Sequence, residues 1–149
     1  MSKRHLPVRP DLDQLKRQAK ELLAAVQHRD PSALEEWSEH VGSAVDPADA
    51  KLAKAQFALA KSYGLVSWPR LVLSCKLIDA IWNNDVEALR ALVMKHPKLI
   101  HEMARGGKTC NWGPPMSYAA NLGRDEIIRL LHGLGAKDHA YAIDMVHAS

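Results

Sequence analysis

One pattern recurs three times along this chain. In AVQHRDPSAL, residues Ala25, Asp30, Ala33 and Leu34 are matched at identical offsets by Ala80, Asp85, Ala88 and Leu89 in AIWNNDVEAL. In AANLGRDEII the small residue is Ala119, the turn falls at Gly123-Arg124, and Ile127 and Ile128 close the template. A small residue, a turn four residues later and an apolar residue eight or nine later describe a helix, a tight turn and an antiparallel helix. The alanines let the two helices approach closely. One such hairpin cannot cover its own apolar face, so copies must stack on one another.

The rest of the chain also reads as helix. Within Asp11–Gln27, residues Leu12, Leu15, Ala19, Leu22, Leu23 and Val26 form one stripe at offsets of three, four and seven. Asp30-Pro31 marks a second start, with Asp as the cap and Pro where its missing N–H costs nothing. Asp46-Pro47 marks a third, and Gly64 suits the left-handed position that ends it. Ser67-Trp68-Pro69 opens a fourth helix carrying Leu71, Val72, Cys75, Ile78 and Trp82. Asn84-Asp85 breaks the pattern, and Val86–Lys95 is a short fifth helix. No segment alternates with period two for long enough to suggest a strand. The expectation is an all-α protein.

Composition narrows the class. With 47% apolar and 25% charged residues, the chain can bury a core and stay soluble. Its 149 residues suit one domain, and a net charge of +3 is too small alone to argue for nucleic acid or an acidic membrane. Cys75 and Cys110 lie far apart, which suits free thiols in a reducing compartment. No run reaches the roughly 18 apolar residues of a spanning helix. MSKRHLPVRP lacks the apolar core of a signal peptide. A cytoplasmic protein with no membrane association is expected.

The stretch GPPMSYAANLGRDEIIRLLHGLGA (113–136) resembles an ankyrin repeat. Pro114-Pro115-Met116-Ser117-Tyr118-Ala119-Ala120 corresponds to that family's Thr-Pro-Leu-His-x-Ala-Ala. Gly123-Arg124 corresponds to its inter-helix Gly, Ile127, Ile128, Leu130 and Leu131 to its second-helix apolar set, and Gly135-Ala136 to its closing Gly-Ala. Leu77–Pro97 is a weaker copy. The step from Ala80 to Ala119 is 39 residues, longer than the usual repeat of about 33, so a lengthened loop is expected within 98–112. Residues 140–149 look like the start of a further repeat, which suggests a piece of a longer array. The resemblance implies a helical leader over 1–70, similar to those preceding ankyrin repeats in some bacterial proteins, and a short solenoid of stacked hairpins over 71–149. Pro114 stands where the family has a capping Thr, and Ser117 where it has the His that ties neighbouring repeats. Stacking is therefore expected to rely more on apolar contact.

The resemblance implies recognition of a protein partner, without catalysis or cofactors. The family binds with its loop tips and the exposed side of its first helices. Here that means the tip 107–112, with Lys108, Asn111 and Trp112, and the first-helix positions Tyr118, Asn121 and Leu122. Trp82 and Asn83 are their counterparts in the weaker copy. Trp is a frequent interface anchor, and Trp112 is the best anchor here. The bland alternative is that Trp112 folds back as a cover. Trp82 fits a core position better than a contact.

Other chemistries find little support. The eight histidines include no i, i+4 pair beside an acid, as a helical zinc site requires. Ser74 is not on a strand–turn–helix elbow. Cys110, two residues from Lys108, could carry thiolate character, although an inert loop thiol is the ordinary reading. Gly106-Gly107-Lys108-Thr109 resembles the end of a phosphate loop, but Glu102 stands where its first Gly belongs. The serious rival is DNA binding through a helix-turn-helix-like segment at 51–76. It carries Lys51, Lys54, Lys61, Arg70 and Lys76 and no acid. Against it, Trp68-Pro69 occupies the end of the second helix that should meet base edges.

Overall fold

The computed structural model describes residues 4–42, 48, 50–107 and 112–136. Among these it is all-α, with seven α-helices, a 3-10 helix at Pro97–His101 and no strand. The chain divides into two compact units, residues 1–72 and 73–149. The division falls inside α4 (Trp68–Trp82).

In the first unit, α1 (Leu12–Gln27) and α2 (Pro31–His40) pack on each other and on α3 (Leu52–Ser62). The caps expected from sequence are present. The Asp11 carboxylate accepts from the N–H groups of Asp13 (3.0 Å) and Gln14 (3.4 Å). Asp30 accepts from Ala33 at 3.0 Å, with Pro31 in the first helical turn. Each satisfies a backbone donor that the helix leaves orphaned. The start expected at Asp46-Pro47 lies outside the described residues; α3 begins at Leu52, after Lys51, with no side-chain cap. The core is built from Leu15, Leu22, Val26, Trp37, Leu59 and Leu65.

In the second unit, α5 (Val86–Lys95) packs on the 3-10 helix and on α7 (Asp125–Gly133). The helix α6 (Pro115–Leu122) packs on α7 and on the 3-10 helix. Asp85 caps α5 through Ala88 at 3.1 Å. The lengthened connection buries Leu99 and Ile100, and the Ala104 N–H donates to the Gly113 carbonyl at 3.0 Å to close its base. With Pro114 in the cap position, α6 has no side-chain cap. Ile81, Leu89, Met116, Ile127, Ile128 and Leu131 are buried.

Five described turns share one hydrogen-bond pattern. A residue with positive φ follows the helix: Arg29 (59°), Gly64 (88°), Asn84 (54°), Gly123 (68°) and Gly135 (96°). The next N–H reaches back five residues, from Asp30 to Ala25, Leu65 to Ala60, Asp85 to Ala80, Arg124 to Ala119 and Ala136 to Leu131, at 2.8–3.0 Å. The positive-φ residue itself donates three residues back. This is the Schellman arrangement, which satisfies carbonyls the helix cannot. The sequence recurrence at Ala25, Ala80 and Ala119 therefore marks the same turn three times.

Candidate functional site: an aromatic cluster at a hairpin turn

In the second unit, three aromatic side chains meet. Trp82 is the last residue of α4, Trp112 lies in the loop before α6, and Tyr118 sits within α6. The Trp82 and Trp112 rings stack at 5.8 Å with an interplanar angle of 20°. Trp112 and Tyr118 meet at 5.1 Å with a tilt of 55°. Such offset or tilted arrangements suit the ring quadrupoles. The two indoles are half-buried, whereas Tyr118 is 0% exposed.

Tyr118 therefore corrects the expectation of an exposed contact. Its spacing from Asn121 and Leu122, three and four residues, does place all three on one helical face. But α6 is short and enclosed, with Pro115, Met116, Ala119 and Ala120 also buried. The Trp112 ring packs against the Tyr118 ring. Asn121 is exposed, donating from Nδ2 to the Ser117 carbonyl at 3.0 Å. Leu122 is half-exposed and Asn83 exposed. Lys108 and Asn111, with Cys110, lie outside the described residues. The site that can be described is thus the half-open indole pair, with Asn121 and Leu122 on α6, the helix after Trp112.

Arg124 holds this arrangement together. Its guanidinium donates to the carbonyls of Ile81 (3.2 Å) and Trp82 (2.5 Å). Those carbonyls belong to the last turn of α4, where orphan acceptors and the negative helix pole both favour a cation. A polar tie between successive hairpins therefore exists. It comes from the inter-helix turn, where sequence reading gave Arg124 only the role of a polar turn residue.

The first unit holds a second polar cluster that sequence reading missed. Arg4 makes two parallel hydrogen bonds to Glu36, 2.7 and 2.9 Å long. The Ser62 hydroxyl lies 2.7 Å from the same carboxylate and 2.9 Å from the Ala58 carbonyl. Tyr63 donates to Gln18 at 2.6 Å. The Arg4 hydrogen bonds hold the Glu36 carboxyl below its usual range; burial opposes this and Ser62 adds to it. Arg4 is raised in turn, chiefly by its bond to Glu36. The pair ties the N-terminal segment to α2 and α3. No local motif signals a contact between residues 32 positions apart.

The helix-turn-helix segment takes an unhelpful form for groove reading. Leu71, Ser74, Cys75, Leu77, Ile78 and Ile81 are buried, and only Pro69 and Lys76 of α4 are exposed. A recognition helix needs polar side chains projecting from an open face. The Ser67 hydroxyl accepts from the Arg70 N–H at 3.2 Å, as a capping residue does. Among the described residues, no three His, Cys, Asp or Glu side chains gather as a metal-binding group. No described helix is long and apolar enough to cross a membrane. Compared with protein-family models, curated proteins and solved structures, the chain matches none of them.

Proposed function

We propose that this chain is a protein–protein interaction module of the ankyrin type, a scaffold or recognition domain without catalysis of its own, acting in the cytoplasm. The observation that carries it is the half-open Trp82–Trp112 stack, held by Arg124 at the point where two hairpins meet. A rigid aromatic pair offers large contact area at low entropic cost, which is why Trp anchors interfaces so often. Asn121 and Leu122 add an exposed polar group and an apolar edge. The recurring hairpin turns and the residue match over 113–136 support the ankyrin reading.

The partner surface comprises Trp112, Asn121 and Leu122, with Lys108 and Asn111 assigned from sequence alone. Tyr118 supports Trp112 from below and makes no direct contact. The test compares proteins crosslinked through a photoreactive residue at position 121 in the wild type and in Trp112→Ala/Leu122→Glu. A discrete adduct lost in the variant, with its helical circular dichroism and cooperative melt retained, supports the proposal. Identical adduct patterns from both proteins overturn it.

A further inference from the structure

The lysines of the acid-free segment belong to a different helix from the one the helix-turn-helix reading would use. Lys51, Lys54 and Lys61 are all exposed, at the start and along α3. Among the described residues none of them makes an ion pair. At 100° per residue, Lys54, Phe57 and Lys61 fall within an arc of about 60°, with the outer two about 10 Å apart along the axis. Phe57 lies between them and is 36% exposed, unusual for a large aromatic in a unit with a well-filled core. Val66, beyond the end of α3, is 72% exposed. Glu39 lines the same shallow cleft as Lys61.

We propose that the outward face of α3 binds single-stranded nucleic acid, with Lys51, Lys54 and Lys61 along the phosphates and Phe57 against a base. This goes beyond the protein-binding proposal and uses residues of the first unit only. Charge complementarity selects a polyanion. The exposed ring among the lysines selects a single strand, because a duplex keeps its base faces stacked inside and an acidic peptide has none to offer. Cations that track the backbone and an aromatic platform for a base are the two elements of sequence-tolerant strand binding.

The test is fluorescence anisotropy of the full chain with a labelled oligothymidine strand, at low and at near-physiological salt. Binding that weakens steeply with salt is expected. The triple variant Lys51→Gln/Lys54→Gln/Lys61→Gln should lower the slope of log affinity against log salt by about 2. Phe57→Leu, which keeps an apolar side chain, should weaken the strand about tenfold without changing that slope. Phe57→Trp should retain or strengthen binding. Circular dichroism melts of each variant separate these effects from unfolding. Trp112→Ala should leave strand binding unchanged, so failure of this proposal and failure of the protein-binding proposal are read separately. No binding at low salt overturns the inference. So does equal or stronger binding of a random duplex, polyglutamate or phosphatidylserine vesicles, or an unchanged affinity in a folded Phe57→Leu.

Discussion

The guanidinium of Arg124 caps the helix that ends at Trp82, from a position 42 residues further along the chain. One side chain thereby closes the last turn of α4 and ties it to the turn between α6 and α7.

Removing that cap should cost stability. Arg124→Ala removes the guanidinium donors from the Ile81 and Trp82 carbonyls, leaving Ile81 the Asn84 N–H, and about 2 kcal/mol is expected for losing hydrogen bonds from a charged group. Arg124→Lys should recover only part of this, since an ammonium cannot reproduce the planar fork. Urea denaturation measures both. A midpoint unchanged in Arg124→Ala would mean that water serves those carbonyls equally well.

Tyr118 and Trp112 should separate in behaviour. Tyr118→Ala empties a fully buried site and is expected to cost about 3 kcal/mol or more. Trp112→Ala removes a half-buried ring and chiefly its stacking, about 1 kcal/mol. Thermal melts of the two single variants provide the comparison. Equal losses would show that Trp112 is as much core as Tyr118.

The positive-φ turns predict substitutions of opposite sign. Asn84 at 54° carries a backbone cost that glycine lacks, so Asn84→Gly should stabilise by up to about 1 kcal/mol. Gly123→Ala should destabilise by about 1 kcal/mol. An added Cβ at position 123 meets nothing within 4 Å, so that cost is conformational and not steric. Chemical denaturation of the two variants is the check, and shifts of the same sign would refute a backbone origin.

Acid should loosen the N-terminal tie. The Glu36 carboxyl is lowered by its hydrogen bonds to Arg4. Its stabilising contribution is therefore complete above the unfolded-state pKa near 4.5 and is lost as pH falls through the lower folded-state value. Glu36→Gln should flatten the pH dependence of the melting temperature below that point while lowering stability at neutral pH. An unaltered acid limb in the variant would assign acid sensitivity to other carboxylates.

Much of the local structure was legible before any coordinates, because it rests on short-range chemistry. Asp11, Asp30 and Asp85 signalled helix starts through the reach of their own side chains, and Gly64 signalled an end through its backbone freedom. The recurring alanines marked the hairpins. What stayed hidden depends on distance along the chain. Arg124 meets Trp82, and Arg4 meets Glu36, only because helices bring them together. Tyr118 was misplaced for a related reason. Its helical face was readable, but not the Trp112 ring that packs against it. In 51–76 the apolar run Leu71-Val72-Leu73 already marks α4 as a packing helix, but that the exposed cations sit mainly on α3 depends on which faces tertiary packing covers.

The Trp82–Trp112 stack also has an optical consequence. Two indoles 5.8 Å apart and nearly parallel couple their electronic transitions. Their shared contribution to aromatic circular dichroism, read as the difference between wild type and Trp112→Ala because Trp37 and Trp68 also contribute, depends on that separation and on the mutual orientation of the rings. A ligand that wedges between the rings or tilts one of them would extinguish it while the helical signal stays constant. The chain thus carries a native spectroscopic gauge at the surface where a partner is proposed to dock, and it needs no added label.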